Sequence, residues 1–316
     1  MEKSTRDAYG DALLKYGNND NIIVLDADLS VSTQTSKFAK KYPERFINVG
    51  CAEQNLIGVA SGISVADKYK IVFASTYAMF AMRAWEQIRS MSHDNLNVKL
   101  FVSHSGLTNP SDGSSHQCLE DLAIMRTIPN MVVVIPADAI ETEKVIENEI
   151  KRKGPVYVRL NRIKTPMITE EYYDNNDFKL ENIVKLVDGD DLTIISAGTM
   201  VYESLEAAKT LIDNNINPCI LNVHTIKPID KNAIIKAAKE TGVIITVEEH
   251  SVYGGLGSAV AEILGEEYPI VMRMIGTKDI FGESGEYKEL LKKHGLTAEN
   301  IVKSSKELLN NKKIKR

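Results

Sequence analysis

Residues 71–102 read IVFASTYAMFAMRAWEQIRSMSHDNLNVKLFV, and their pattern predicts the class of the fold. It begins and ends with short apolar runs, Ile71–Ala74 and Val98–Val102, which are typical of strands buried in a parallel sheet. Between them, Tyr77–Met91 has the spacing of apolar residues that is typical of a helix. A strand, a helix and a second strand in this order indicate a parallel sheet whose faces are covered by helices.

The same alternation extends toward both ends of the chain. Before residue 165, further strands are predicted at Ile22–Leu25, Met131–Ile135 and Val156–Leu160, and further helices at Ala52–Ala66 and Ala139–Lys151. After residue 190, strands are predicted at Leu192–Ser196, Cys219–Val223, Val243–Val247 and Ile270–Met274, and helices at Val201–Ile212, Lys231–Glu240, Ser258–Leu264 and Glu286–His294. The pattern predicts an α/β protein of two domains, each a mostly parallel sheet flanked by helices.

The domain boundaries follow from the length and from one polar stretch. The chain has 316 residues, about twice the length of an average domain. Residues 162–190 contain many turn-forming residues and few apolar ones, which is typical of a linker at the surface. We expect a first domain at 1–164, a linker at 165–190 and a smaller second domain at 191–316.

Composition excludes several classes of protein. The net charge is −5, so the chain as a whole offers no basic surface for nucleic acid. No apolar run approaches the ~20 residues of a membrane span, and the polar N-terminus lacks the apolar core of a signal peptide. The cysteines Cys51, Cys118 and Cys219 are too dispersed for a structural zinc site and fit a reducing compartment. These features predict a soluble, cytoplasmic protein that binds neither nucleic acid nor membranes.

A glycine-rich turn, Gly254–Ser258, precedes a predicted helix where a dinucleotide-binding loop could lie. The dinucleotide fingerprint would need Gly or Ala at position 260, which is Val260. The sequence also contains no GxxxxGK[ST] phosphate-binding loop. A tight turn between a strand and a helix is the better explanation of these glycines.

Three groups of residues could support chemistry. Glu53 begins a predicted helix, where the helix dipole alone would explain a carboxylate, although a carboxyl group in an apolar pocket could share a proton. Tyr77, Phe80 and Arg83 are spaced to share one helical face, and the arginine suits an aromatic or anionic ligand.

The third group follows the strand Val98–Val102. His104 leads into the loop Asp112–Gln117, at the sheet edge where open α/β sheets bind ligands. The two histidines of this group, His104 and His116, and Asp112 could bind a ligand or exchange protons. Their spacing does not fit a metal site.

Together, these segments resemble the transketolase family, namely its pyrimidine-binding domain followed by its C-terminal domain. The resemblance covers essentially the whole chain. It rests on Ala27–Ser32, Ala52–Gln54, Thr76–Arg83, Asp112–Gln117, Gly254–Ser258 and Phe281–Gly285. The run DGSSHQ at 112–117 is similar to the DGPTHQ of the family.

The resemblance implies a thiamine-diphosphate-dependent transferase that moves a two-carbon ketol unit from a ketose phosphate to an aldose phosphate. Glu53 would share a proton with the aminopyrimidine ring, so that the cofactor can form its nucleophilic ylide. The implied cofactor-binding residues are Glu53, Tyr77, Phe80, Arg83 and Asp28, and the implied catalytic residues are Glu53 and His116. The implied substrate-binding residues are Asp112, His104, Arg162, Ser32 and Arg6. Arg159 competes with Arg162 for the phosphate-binding role.

The resemblance also implies an incomplete enzyme. Transketolases bind the cofactor diphosphate and a divalent metal with a GDG motif in an N-terminal domain, and this chain has no GDG. We therefore expect a separate N-terminal subunit that carries the diphosphate and Mg²⁺ ligands, with no metal ligand on this chain. An α2β2 assembly that works in the pentose phosphate pathway is expected.

Three alternatives stay open at this point. Arg83 stands where transketolases have a tyrosine and is similar to 1-deoxyxylulose-5-phosphate synthase, so the chain could be half of a split enzyme of that kind. The beta subunit of a 2-oxo-acid dehydrogenase has the same two domains and an equivalent glutamate. A non-catalytic scaffold subunit is the third alternative.

Overall fold

The computed structural model describes residues 1–173 and 178–314, and the side chains up to residue 310. Part of the predicted linker, residues 174–177, and the last two residues of the predicted second domain lie outside the described residues. The linker and domain boundaries given above remain predictions.

The described strands and helices alternate along the chain. The strands are β1 (Glu2–Lys3), β2 (Ile22–Asp26), β3 (Phe46–Asn48), β4 (Ile71–Tyr77), β5 (Val98–Ser103), β6 (Val132–Val134), β7 (Val156–Arg159), β8 (Thr165–Pro166), β9 (Val184–Val187), β10 (Leu192–Ser196), β11 (Pro218–Asn222), β12 (Thr225–Lys227), β13 (Val243–Ser251) and β14 (Val271–Thr277). The helices are α1 (Thr5–Tyr16), α2 (Ser30–Thr33), α3 (Ser36–Lys41), α4 (Glu53–Ala66), α5 (Ala78–Ala81), α6 (Trp85–His93), α7 (Asp121–Arg126), α8 (Ala139–Lys151), α9 (Met200–Asp213), α10 (Lys231–Thr241), α11 (Leu256–Glu267), α12 (Tyr287–His294) and α13 (Ala298–Ile314).

Within the described residues, two main sheets carry the fold, which confirms the predicted two-domain α/β class. The first sheet has the strand order β12-β6-β7-β5-β4-β2-β3, and the second has the order β14-β13-β10-β11-β9. Pairing is parallel except at β12 and β9, each of which lies antiparallel at one edge of its sheet. A separate antiparallel pair joins β1 to β8.

The two halves of the chain are not fully separate. Strand β12 comes from the predicted second domain but pairs with β6 of the first sheet. Its pairing with Val133 and Val134 closes one edge of that sheet. The second half therefore completes the sheet of the first half, which local periodicity could not indicate.

The central strands of the first sheet are buried on both faces, as their continuous apolar sequence requires. Strand β4 is buried along its whole length. Val72 packs into a core with α4 and α6 on one face, and Phe73 packs into a core with α1 and α8 on the other. Helices pack on both faces of this sheet, which confirms the prediction made from residues 71–102.

The prediction of a single helix at Tyr77–Met91 is wrong. Tyr77 still belongs to β4, because it continues the pairing of β4 with β5 opposite Ser103. The chain then forms the short helix α5, a 3-10 turn at Met82–Ala84, and only afterwards α6. Tyr77, Phe80 and Arg83 therefore do not share one helical face, although they do meet, as described below.

In the part of the chain that the structure describes, none of the helices is both long and apolar enough to span a membrane.

Candidate active site

The predicted site residues gather at the carboxyl edge of the first sheet. Strands β2, β4, β5 and β7 run parallel, so the segments that follow them emerge on the same side. These segments carry Asp28 and Ser32 after β2, Phe80 and Arg83 after β4, His104 after β5, and Arg162 after β7. The topology therefore brings residues from distant parts of the sequence to one place.

Glu53 is the first residue of α4, as predicted, and its side chain is 8% exposed. The Arg83 guanidinium lies 3.8 Å from a Glu53 carboxylate oxygen and is itself 70% exposed. Among the described residues, none donates a hydrogen bond to this carboxylate. A nearly buried carboxylate with free acceptor positions is suited to receive a proton-bearing group of a ligand.

Aromatic rings form a column beside Glu53. The His104 ring stacks on Tyr77 with centroids 3.7 Å apart, and Tyr77 stacks on Phe80 at 5.3 Å. His116 meets Phe80 edge-on at 5.3 Å, and the Arg83 guanidinium lies 5.7 Å from the Phe80 ring centroid. Such a column offers ring faces and a cation to a flat heteroaromatic ligand.

Arg6 and His104 form the next part of the site. The Arg6 guanidinium donates to the Ser32 carbonyl at 3.0 Å and lies 3.1 Å from Nε2 of His104. Burial, Arg6, Arg162 and His116 together lower the pKa of His104 to about 3. The ring is therefore neutral near pH 7, with Nε2 accepting from Arg6 and the Nδ1 proton directed to the Ser103 hydroxyl at 2.8 Å.

Arg162 extends this basic group toward the loop Asp112–Gln117. Its guanidinium contacts the Asn109 side chain, lies 3.3 Å from the Ser111 hydroxyl, and lies 3.6 Å from the Asp112 carboxylate. Two arginines and a neutral histidine around one opening suit a phosphate dianion, because guanidinium groups bind its oxygens with charge-assisted hydrogen bonds.

Asp28 lies at the margin of this group. Its carboxylate accepts from the Asn48 amide at 3.1 Å and from the Cys51 thiol at 3.6 Å. It is exposed, and these two partners are not among the predicted site residues. The structure thus places Asp28 beside the loop that leads into Glu53, and not among the aromatic rings or the arginines.

Asp26 is a supporting residue that sequence reasoning missed. This buried carboxylate accepts hydrogen bonds from the amide of Leu29 at 2.5 Å and from the hydroxyls of Thr33 at 2.6 Å and Thr35 at 2.9 Å. Burial raises the pKa of Asp26 to about 6. The bonds fix the turn that presents Ser32 to Arg6, and an acid ending a buried strand is the signal that could have revealed it.

Arg159 and Arg162 have different surroundings. Arg159 is buried, with Nε 2.8 Å from the Asp121 carboxylate. It also donates to the carbonyls of Cys118 and Glu249, both at 3.1 Å. Arg159 therefore joins the two halves of the chain, whereas Arg162 faces the site.

The glycine-rich turn 254–258 serves the fold. The amides of Leu256 and Gly257, at the start of α11, donate to the two carboxylate oxygens of Glu248 at 2.7 and 2.8 Å. The protein's own carboxylate thus takes the position where a phosphate-binding loop would hold its ligand. This arrangement agrees with the structural interpretation of these glycines.

The second half of the chain supports the site loop. The Gln117 amide donates to the Glu283 carbonyl at 3.0 Å, and the Gly285 amide donates to the Pro110 carbonyl at 3.1 Å. The segment 278–286 therefore packs on the loop that carries Asp112 and His116.

Comparison with known protein families identifies both halves. Residues 1–167 match the transketolase pyrimidine binding domain, and residues 181–301 match the transketolase C-terminal domain.

Two relatives match nearly their whole length. A protein of Methanocaldococcus jannaschii described as a putative transketolase C-terminal section is 49% identical over 95% of this chain and 95% of its own. A 6-deoxy-6-sulfo-D-fructose transketolase subunit of Clostridium sp. is 41% identical over 97% of this chain and 95% of its own. By contrast, the chain spans about half the length of human transketolase, 49%, at 37% identity.

A solved structure titled split gene transketolase, inactive beta4 tetramer, is 45% identical, with a TM-score of 0.87 over 98% of this chain and 99% of its own. A transketolase of Pichia stipitis in complex with sedoheptulose-7-phosphate has a TM-score of 0.85 at 22% identity, which indicates a shared fold.

Proposed function

The chain belongs to the transketolase family, and we propose that it is the C-terminal subunit of a two-subunit transketolase. The proposed reaction is the reversible transfer of a two-carbon ketol unit from a ketose phosphate to an aldose phosphate. One observation carries the proposal: a nearly buried carboxylate that accepts no hydrogen bond within the described residues, an aromatic column and a basic group meet at one sheet edge.

The residues fit thiamine diphosphate, which family membership implies. Glu53 has free acceptor positions for a protonated ring nitrogen, and Tyr77 and Phe80 offer stacked rings beside it. When bound, this cofactor supplies the nucleophile that carries the two-carbon unit. The chain's own contribution is to hold the proton at Glu53, to orient the ring with the aromatic column and to shield it from water.

Arg83 and Asp28 are proposed to act at the edge of the cofactor. Arg83 lies near both Glu53 and Phe80, so it keeps a cation next to the carboxylate where other transketolases have a tyrosine. Asp28 would act through the loop that leads into Glu53.

Arg6, Arg162, His104 and Ser32 are proposed to hold the terminal anionic group of the sugar. Asp112 and His116 would contact the hydroxyl groups of the sugar and the reacting carbon unit. Both lie on the loop 112–117, where Asp112 is near Arg162 and His116 meets the Phe80 ring. One relative is named for a substrate with a sulfonate, and another, of Phocaeicola vulgatus, is named for the transketolase of apulose-4-phosphate. The donor should therefore be sought among both phosphorylated and sulfonated ketoses.

The remaining part of the enzyme is proposed to come from another chain. An N-terminal subunit would supply the residues that bind the cofactor diphosphate and Mg²⁺. Two copies of each subunit would form an α2β2 assembly. The proposal is supported by the relative described as a C-terminal section and by the structure titled split gene transketolase. A cytoplasmic place in the pentose phosphate pathway is part of the same proposal.

The test uses the chain reconstituted with its N-terminal subunit, thiamine diphosphate and Mg²⁺. Glu53→Ala should lower ketol transfer by about 100-fold or more, because the proton at the cofactor ring is no longer held. Glu86→Ala is the matched control, since Glu86 also lies in the first turn of a helix but is exposed. Its activity should stay within about twofold of the natural enzyme.

Near-natural activity of Glu53→Ala would overturn the assignment of the site. Full activity of the isolated chain would overturn the two-subunit proposal. Decarboxylation of pyruvate in place of ketol exchange would favour the deoxyxylulose-phosphate synthase or the oxo-acid dehydrogenase alternative.

A further inference from the structure

A second cleft, with a volume of about 550 Å³, lies in the second half of the chain. It is bounded by β14 and the residues after it, by the last turn of α12, and by α13, and it shares no lining residue with the site described above. The basic cleft, as we call it, is lined by Arg273, Lys278, Lys292, Lys293, His294 and Lys303.

The charge of the basic cleft is opposite to that of the chain. Five of its lining side chains are lysine or arginine, whereas Glu307 is the acidic residue in the lining. The chain as a whole carries a net charge of −5. Clustered cations repel one another, so a cleft of this kind favours a bound anion.

The structure itself neutralises only part of this charge. Arg273 is 2.7 Å from the Glu307 carboxylate, and Lys293 forms an ion pair with Glu283. Lys278, Lys292 and Lys303 form no ion pair within the described residues. The helix dipole accounts for lysines in the last turn of α12, but not for Lys278 or Lys303, which come from other segments.

His294 adds an unused donor to the basic cleft. Both of its ring nitrogens are buried, and neither has a hydrogen-bond partner among the described residues. Burial and the neighbouring Lys293 lower the pKa of His294, so the ring is neutral and carries one N–H. A buried N–H without an acceptor is costly, and an oxygen of a bound anion would satisfy it.

We propose that the basic cleft binds a small molecule with two or more phosphate groups, namely a nucleoside polyphosphate. This proposal does not depend on the proposed function. The volume of the cleft lies within the range of about 300–1,000 Å³ that is typical of small-molecule sites. A single phosphate would not fill it. Ile280, 56% exposed at the rim, provides apolar surface for the rest of the ligand.

The basic cleft is connected to the active-site loop. Lys293 pairs with Glu283, whose carbonyl accepts the Gln117 amide hydrogen bond at 3.0 Å. A bound anion competes with the Glu283 carboxylate for Lys293, so occupancy of the cleft changes the contacts of 278–286 with the loop 112–117.

The test measures binding of ATP to the full chain by isothermal titration calorimetry, with adenosine as the uncharged control. The natural chain should bind ATP and not adenosine. Lys303→Glu should weaken ATP binding by about tenfold or more, because it reverses a charge in the cleft. Lys288→Glu makes the same charge change on α12 outside the cleft and should alter the dissociation constant by less than about twofold.

The phosphate-binding group near His104 could also take ATP, so the titration is repeated with Arg162→Ala. Binding to the basic cleft should persist in that variant, and hydrogen exchange of 278–286 should change on adding ATP. Absence of ATP binding would overturn the proposal. It would equally be overturned if Arg162→Ala abolished binding, or if Lys288→Glu weakened it as much as Lys303→Glu.

Discussion

Arg159 and Arg162 lie three positions apart at the end of β7 and make different contacts. Arg159 is the last residue of the strand and is held inside by Asp121 and two backbone carbonyls. Arg162 has left the sheet and is half-buried beside Asn109 and Asp112. Their identical chemistry is therefore used for structure at Arg159, and we propose that it is used for substrate binding at Arg162.

Replacing Arg159 by methionine should lower the free energy of unfolding by about 3–5 kcal/mol. The Asp121 carboxylate is fully buried and would lose the cation that compensates its charge. Urea denaturation of the isolated chain measures the change. A loss below about 1 kcal/mol would show that Arg159 does not join the two halves as described.

Arg162→Met is the matched change for catalysis. Stability should fall by less than about 1 kcal/mol, because the arginine is partly exposed. In the reconstituted enzyme, KM for a ketose phosphate should rise about tenfold or more, because one ligand of the phosphate is lost. An unchanged KM would remove Arg162 from the substrate site.

The turn into α11 shows how one carboxylate joins a strand to a helix. Glu248 on β13 accepts from the amides of Leu256 and Gly257 and thereby caps the helix. A Cβ atom at Gly255 would overlap a Glu248 carboxylate oxygen and lie 2.7 Å from Nδ1 of His250. Glycine is therefore required there by close packing.

Gly255→Ala should lower the free energy of unfolding by about 1–3 kcal/mol, since the added methyl must displace the capping carboxylate. Gly265→Ala is the control on the same helix, where a Cβ would meet no atom within 4 Å. That change should be neutral or stabilise by up to about 1 kcal/mol. Thermal or urea denaturation compares the two, and equal effects would contradict this account of the turn.

Buried histidines and buried carboxyl groups both affect how the stability of the whole molecule responds to acid. Burial lowers the pKa of His104 to about 3 and the pKa values of His224 and His250 to about 4. Below pH 6.5 these histidines are protonated in the unfolded chain but stay neutral in the folded chain until the pH approaches their lowered pKa values. Each of these histidines therefore reduces stability as the pH falls from about 6.5 toward its folded pKa.

Buried carboxyl groups act in the opposite direction over part of that range. Burial raises the pKa of Asp26 to about 6 and those of Glu141 and Glu248 to about 7. The folded chain binds protons at these groups first, so they add stability as the pH falls toward about 4.5. Above about pH 4.5 the effects of the histidines and of the carboxyl groups on the free energy of unfolding oppose each other. Below that pH, of these two sets, the histidines continue to lower it until each reaches its folded pKa.

We expect the free energy of unfolding to change little between pH 6.5 and 4.5 and to fall steeply below. Between about pH 6 and 4.5, His224→Gln should change the slope of the free energy of unfolding against pH by up to about 1.4 kcal/mol per pH unit, so that stability rises as the pH falls, because one proton fewer is taken up on unfolding. His93→Gln, at an exposed histidine, is the control. Urea denaturation at several pH values measures both slopes, and identical slopes would refute the role of His224.

Local sequence was enough to predict the class of the fold and the sheet edge at which most of the candidate site residues gather. The short apolar strands and the helices between them follow from local periodicity, and Glu53 at the start of α4 follows from the apolar residues after it. Parallel strands place their carboxyl ends together, so residues after β2, β4, β5 and β7 had to converge.

Features that depend on contacts between distant segments could not be predicted from local sequence. Tyr77 belongs to β4 because it pairs with β5. Arg159 is buried because it pairs with the Asp121 carboxylate on α7, a contact that Arg162 lacks. The basic cleft is formed by three segments that are distant in the sequence. Local sequence records propensity and periodicity. Which buried group meets which partner is set by the packing of the whole chain, because burial makes each unsatisfied charge or donor costly.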